Sequence, residues 1–396
     1  MTALRPDRLV ATTIGFSLLA LATSARAQYP TPLAPLAWWN DASDVTLGLW
    51  ARTNPTPLGR FTLIVSRGFG GQQAATIEES VDFHIQVEDP FALTNRGFSG
   101  LLAGWAMDGT VGTLLRLSRP TGSPLTGTET GVQLQWVATR EIRYLDPSLW
   151  DNTGTGEAGV FHTRRSSTAN QDLALRLDGL GGVAYSRSLP GQSGSGYAAE
   201  AFARAAGEVS IRRRLSFLVF GARGYAGGIF SANNPPKQRA IPIQGGDPYQ
   251  TLGNPWFRTE GAPLAGGDVF YHAPGHANLR GYRLGEAGRW AGSINLELEA
   301  DVFRRETGIF RRASLVGFWD GAIVDTLAAR TFDDTAFRVM ADAGAGFRIW
   351  FSIASLHFPL RVEFPVYLSD PVLAYDRERA RDYVEFRWLV SVQPIF

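Results

Sequence analysis

The chain has 396 residues, 38 basic against 37 acidic side chains for a net charge of +1, and no cysteine. That balance gives no argument for a nucleic-acid partner, and the lack of thiols excludes a disulfide framework, a cysteine-ligated metal site and a thiol nucleophile. Past the N-terminal segment there is no run of 18 unbroken apolar residues, which excludes membrane-spanning helices; the 44 glycines, with 24 Phe, 11 Trp and 11 Tyr spread along the chain, suit many turns and interfacial aromatic girdles.

Taken in order, residues 1–27 read as a secretory signal peptide. Arg5 and Arg8 precede an apolar run from Leu9 to Thr23, and Ala25-Arg26-Ala27 offers a small-x-small cleavage site after Ala27. Residues 28–44 are proline-rich and too short for a domain, so a short periplasmic segment is expected there, with a barrel over 45–396. The first strand candidate is Val45–Arg52, where Val45, Leu47, Leu49 and Ala51 share a face. Val81, Phe83, Ile85 and Val87 alternate with Asp82, His84 and Gln86. Val132, Leu134 and Trp136 alternate with Gln133 and Gln135, and Leu173, Leu175 and Leu177 alternate with Ala174, Arg176 and Asp178. Further candidates fall near 60–68, 98–118, 157–163, 197–209 and 214–228. No segment keeps a helical period over three turns, so the chain is expected to be all-β.

From about 229 to 290 the alternation stops, and Pro235, Pro236, Pro242, Pro248, Pro255, Pro263 and Pro274 recur. A connection of that length inside a compact fold is expected to be functional. It carries Leu279-Arg280-Gly281-Tyr282 in a glycine-rich setting that reads as a loop tip. Alternation then resumes strongly. Ile294, Leu296, Leu298, Ala300 and Val302 oppose Ser293, Asn295, Glu297, Glu299 and Asp301. Ser314, Val316, Phe318 and Asp320 oppose Leu315, Gly317 and Trp319; Met340, Asp342 and Arg348 oppose Val339, Ala341 and Phe347; Arg361 and Glu363 oppose Leu360, Val362 and Phe364. The last strand carries Val390, Val392 and a terminal Phe396. Charged residues therefore recur on one face of successive strands. A dry core does not tolerate that many, because each buried charge needs a partner; a water-filled lumen inside a transmembrane barrel does.

The LRGY tip, the strand carrying Asn-Leu-Glu-Leu, the Gly-Phe-Trp-Asp-Gly strand and the final strand ending on an aromatic residue resemble the BamA/TamA bacterial surface antigen superfamily, which contains outer-membrane insertases and two-partner-secretion transporters. The resemblance covers about 272–396, with five strands after the long loop. It implies a transmembrane antiparallel β-barrel of sixteen strands, where pattern counting alone gives twelve to sixteen, and a loop folded into the lumen. It further implies that Arg280 meets acidic residues of neighbouring strands, with Glu297 and Asp320 as candidate partners; Glu299 shares the face of Glu297 and is the alternative. Val390, Val392 and Phe396 would form the carboxy-terminal signal. The chain departs from the family pattern in three places: Gly321 follows Asp320 directly, Pro394 takes an apolar position of the terminal signal, and 28–44 leaves no room for POTRA domains.

Catalysis finds little footing. Among His84, His162, His272, His276 and His357 no H-E-x-x-H pair occurs, and Gly194-Ser195-Gly196 lacks the spacing of a nucleophile elbow. His162 and Ser166 share a face only if their strand runs through Arg164 and Arg165, which the pattern does not favour. His272 and His276 are read as loop-lining residues, and Arg212-Arg213-Arg214 as a periplasmic turn. The expectation is a non-enzymatic barrel of the bacterial outer membrane, with no cofactor and no metal. It would insert or translocate polypeptide through a lumen gated by the loop and by a weak seam between first and last strands. Outer-membrane lipid, an unfolded polypeptide client and a separate periplasmic accessory protein are the partners this implies. A passive porin-like pore, and a structural barrel working with a separate periplasmic partner, are the competing readings.

Overall fold

The computed structural model describes residues 33–40, 44–53, 59–68, 81–88, 96–107, 109–123, 125–140, 145, 150–186, 199–232, 235–249, 269–271, 274–282, 287–326, 337–353, 356–370, 383–384 and 387–391. Eleven strands come first: β1 (Leu33–Asn40), β2 (Asp44–Arg52), β3 (Arg60–Gly68), β4 (Val81–Glu88), β5 (Ser99–Met107), β6 (Thr110–Gly122), β7 (Thr126–Thr139), β8 (Thr153–Ser167), β9 (Gln171–Ser186), β10 (Ala199–Leu215) and β11 (Leu218–Ser231). The long loop contributes one 3-10 turn, Lys237–Arg239, and two short strands, β12 (Ile241–Pro242) and β13 (Val269–Tyr271). Five strands close the sequence: β14 (Ala287–Arg304), β15 (Phe310–Thr326), β16 (Arg338–Ile353), β17 (Leu356–Leu368) and β18 (Trp388–Ser391).

Each wall strand pairs antiparallel with the next, and β11 pairs with β14 across the loop from Leu218↔Ala300 to Gly228↔Trp290. The described residues thus form a sixteen-stranded wall in one sheet. The connections β6–β7, β8–β9, β10–β11, β14–β15 and β16–β17 are short and lie at the end where β1 begins and β18 ends. The longest connections, 232–286 first among them, join strands at the opposite end. That asymmetry between short turns and long loops is the usual one for bacterial outer-membrane barrels.

The period of two sets which face is wet. On β14 Ile294, Leu298 and Val302 are exposed while Ser293, Asn295, Glu297 and Glu299 are buried. On β7 Val132 and Leu134 point out, and on β15 Leu315 and Trp319 do so while Asp320 is buried. Apolar side chains outside and charged ones inside invert the pattern of a water-soluble domain, because the outer medium here is hydrocarbon and paired strands satisfy one another's backbone polar groups. Among the described residues, packed side chains occupy the lumen beside the loop, where the alternation predicts water. Tyr225, Ile241, Ile243, Ala277, Leu279, Tyr282, Val324, Met340 and Leu368 make one apolar cluster between the loop and the β11–β17 wall. Across the barrel Ile64, Trp105, Met107, Val137, Leu145, Trp150 and Tyr249 make another.

Several expectations need correction. Residues 28–44 are not wholly outside the strands, since β1 lies within them and pairs along β2 from Leu33↔Ala51 to Asn40↔Asp44. Val45–Arg52 is therefore not the first strand. It is held on both edges, by β1 and by β3 (Leu47↔Arg67), and cannot form the seam with the last strand. Leu33-Ala34-Pro35-Leu36-Ala37-Trp38-Trp39 carries no polar alternation to read; Pro35, which lacks an N–H, is tolerated because β1 pairs on one side only among the described residues. The 98–118 candidate is two strands, turning at Gly109 with φ +72°, and β8 does run through Arg164 and Arg165. The loop is bounded by Ser231 and Ala287, because β11 continues through Ile229, Phe230 and Ser231 and β14 already begins at Ala287. Its strand β13 lies parallel to β18, Val269 opposite Trp388.

Two outcomes follow for the purified protein. It should refold in detergent with a β-dominated far-ultraviolet spectrum and migrate differently when unheated on a denaturing gel. In this cysteine-free background, cysteines at Ala37 and Leu47, opposite each other across β1 and β2, should crosslink readily, whereas cysteines spanning 45–52 and 388–391 should not.

Candidate functional site

The LRGY tip is a tight turn before it is a binding element. The Tyr282 N–H donates to the Leu279 carbonyl (3.3 Å), and the Leu279 N–H donates to the Ile243 carbonyl of an earlier part of the loop (2.9 Å). Leu279 and Tyr282 are both buried in the apolar cluster, so the turn is held by its flanking residues. Asn278 and His276 adopt φ +56° and +47°, a left-handed conformation that these two residue types tolerate better than most. The result is that Arg280 projects from the apex toward the wall.

Arg280 uses all three guanidinium nitrogens. Nε and Nη2 donate to the two oxygens of Asp320 (2.7 and 2.8 Å), and Nη1 donates to Glu297 (2.8 Å) and Glu363 (3.0 Å). The guanidinium also stacks over Phe318, 3.9 Å from the ring centre. Its exposure is 1%, so it lies nearer the buried than the surface limit of ion-pair energetics. Burial alone would depress the Arg280 guanidinium; Asp320, Glu363 and Glu297 outweigh it and hold the group well above its ordinary value. The structure places Glu297 and Asp320 in contact with Arg280, and turns Glu299 to other arginines. Asp320 reaches the lumen although Gly321 follows it directly, because strand parity alone fixes the face.

Gly281 and Tyr282 complete the turn. The Gly281 N–H donates to Asp342 (3.0 Å), and a Cβ there would meet Leu368 in severe overlap, with Asp342 Cβ at 3.1 Å and Pro365 Cβ at 3.3 Å. A side chain at 281 would have to push aside Leu368, itself buried in the apolar cluster. The Tyr282 hydroxyl donates to the Ala341 carbonyl (3.2 Å) and accepts from the Asp370 N–H (3.2 Å); burial pushes its phenol up to about 12.

Sequence reasoning missed the ring around this contact. Arg348 donates to Glu297 (3.0 Å) and Glu299 (2.9 Å). Arg361 contacts Glu297 (3.3 Å) and Glu363. Glu299 is further held by Arg212 (2.7 Å) and Arg312, so the Arg212–Arg214 run is partly a lumen feature beside the β10–β11 turn. The inward parity of Arg348, Arg361 and Glu363 was legible, but which inward residues meet depends on strand stagger.

A second buried cluster, also unforeseen, fixes the loop to β8, β10 and β11. Asp247 accepts from Arg204 of β10 (2.6 Å) and from Arg239 of the loop (3.1 Å). Arg239 also pairs with Glu157 of β8 (2.9 Å) and stacks on Tyr249, 4.5 Å from the ring centre. Tyr249 bonds Thr155 (2.5 Å). Burial would raise the Asp247 carboxyl, but Arg204 and Arg239 hold it far below the usual range. His276 is not merely loop-lining: it contacts Arg204, and its own carbonyl accepts from Arg223 of β11 (2.8 Å). His162 meets Thr130 (2.8 Å) at an exposed position. Among the described residues no three His, Asp or Glu side chains are placed to hold a metal ion. Of the terminal signal, Val390 lies in β18, and Val392, Phe396 and Pro394 fall outside the described residues, as does His272.

Fold and site together define a sixteen-stranded transmembrane β-barrel whose lumen holds the loop that follows its eleventh strand. Among solved structures, CdiB from Escherichia coli is similar with a TM-score of 0.50 at 13% sequence identity, over 92% of this chain and 63% of that one. BamA from Haemophilus ducreyi lacking POTRA domains 1–3 gives a TM-score of 0.39 at 14% identity, over 94% and 77%. The chain thus spans less than two thirds of the CdiB chain, and at this identity the CdiB likeness is one of fold. No protein-family model matches the sequence, and no curated protein matches it.

Removing the Arg280 cation strands carboxylates in a buried site. Arg280→Ala should weaken loop docking by about 3–5 kcal/mol and expose 274–289 to protease while heat-modifiability persists. Arg280→Lys should recover only part, because an ammonium cannot copy the two-nitrogen grip on Asp320. Gly281→Ala should release the tip by overlap alone, with every charge in place. The exchange Arg280→Glu with Glu297→Arg should not rescue closure, since residue 297 also serves Arg348 and Arg361.

Proposed function

We propose that this chain is a bacterial outer-membrane barrel that inserts or translocates polypeptide, and that the 232–286 loop is its plug. The observation that carries the reading is the Arg280 contact: a fully buried cation on the loop matched to carboxylates from β14, β15 and β17. A passive pore needs a lumen lined by water. Here the loop crosses from the Asp247 cluster on β8 and β10 to the Arg280 cluster on β14–β17, with apolar packing at both ends. Ion pairs and hydrogen bonds that hold a plug reversibly suit a path that opens only when a client displaces it.

The partners that go with this reading are outer-membrane lipid around the exposed apolar face, an unfolded polypeptide client, and a separate periplasmic accessory protein that delivers it. The chemistry is passage rather than turnover, and the barrel is proposed to have no enzymatic activity and to need no cofactor. The seam belongs to the proposal in a changed form: β1 and β18 share no ladder among the described residues, and the second edge of β18 carries β13 of the loop.

Single-channel recording in planar bilayers tests this. The wild-type barrel should be mostly closed with brief openings, and Arg280→Ala should give larger, longer ones. A steady, large conductance in the wild type would establish a porin instead.

A further inference from the structure

His276 is buried at the second anchor, and its two ring nitrogens face partners of opposite kinds. Nδ1 lies 3.2 Å from the Gly245 carbonyl, which can only accept, so Nδ1 carries the proton. Nε2 faces Arg204 Nη2, which can only donate, so Nε2 must present its lone pair. The docked ring is therefore the neutral Nδ1–H tautomer. A second proton on Nε2 would set N–H against N–H.

The surrounding charges work in the same direction. From β10 comes Arg204, and from β11 come Arg223 and the edge of Tyr225, 5.6 Å between ring centres. Arg223 is itself committed to the His276 carbonyl, to Asn295 (2.8 Å) and to Glu208 (2.7 Å). From the loop, Asp247 approaches Nε2 at 3.5 Å, but it already serves Arg204 and Arg239, and Glu157 serves Arg239. An imidazolium would face two arginines, Arg204 and Arg223, and one carboxylate, Asp247, that both Arg204 and Arg239 already hold. Burial first, then Arg204 and Arg223, push the ring down to about 3, against the pull of Asp247.

We infer that His276 makes the second anchor an acid-released latch, in which the loop docks on β10 and β11 only while this ring is neutral. The inference rests on the reading of the loop as a plug. The sign follows from linkage: a released ring titrates near the ordinary value of about 6.5, so docking is unhindered above it. Below it, each pH unit favours release about tenfold, until the docked ring itself titrates.

The full-length protein is compared at pH 7.5 and 5.0 by limited proteolysis of 232–286 and by bilayer conductance. The released fraction of wild type should rise by up to about 30-fold. His276→Gln keeps an acceptor without a titratable ring and should lose that response. His276→Lys places a fixed cation there and should be released already at pH 7.5. The same acid response in His276→Gln, or none in wild type, overturns the latch. Should either variant lose heat-modifiability, ring nitrogen shifts of labelled His276 in the wild-type barrel decide: a docked ring that titrates near 6.5 overturns it. Arg280→Ala run in parallel separates the two ideas, because a loop still protected in that variant defeats the plug reading, whereas release there without any acid response in wild type defeats only the latch.

Discussion

The barrel depends on one electrostatic constraint: its inner wall carries charges that are removed from water, and those around the loop arginine are met by groups of opposite sign. Around Glu297, Asp320 and Glu363 the wall supplies Arg348 and Arg361, and the loop supplies Arg280. Such a network stabilises little beyond what packed apolar residues would give, because desolvation offsets most of the Coulomb attraction. Its consequence is specificity. A guanidinium that bonds three carboxylates from three strands fits in one place, and a displaced loop leaves those carboxylates without it. The contact therefore selects one loop position more than it strengthens the barrel.

The two lumen clusters divide the work between geometry and charge. At the Arg280 end, Leu279 and Tyr282 pack with Ile241, Ile243, Met340 and Leu368, which sets the turn before any ion pair forms. At the other end Tyr249 packs with Trp105, Trp150 and Ile64 beside the Asp247 pairs. Apolar packing is nondirectional and fixes distance, while the ion pairs are directional and fix register. A plug anchored at two places on the wall resists displacement from either one. It can still be released through a few polar contacts without repacking the barrel, since the strand ladders do not involve it except at β12 and β13.

The reading of faces from alternation held wherever side chains alternate. The inward placing of Glu297, Asp320, Asp342, Arg348, Arg361 and Glu363 is legible because a strand has a period of two and one face must be apolar toward lipid. The Arg280 pairing with Glu297 and Asp320 was legible only through resemblance to a known family. β1 was missed because its residues are nearly all apolar, and a uniform stretch carries no parity. The Asp247 cluster was missed for a different reason: its members stand at positions 157, 204, 239, 247 and 276, and no local pattern connects a loop residue to a strand that precedes it by many turns of chain.

What the sequence by itself determined is the all-β class, the outward and inward faces of the later strands and the long loop with its arginine apex, since those rest on local period and composition. Only the tertiary structure decided the pairing of β1 with β2, the addition of Glu363 to the Arg280 site, the choice of Glu297 over Glu299, and the second anchor around Asp247 and His276. The physical reason is that parity is a property of one strand, whereas contact across a lumen depends on the stagger of many strands and on where the loop re-enters.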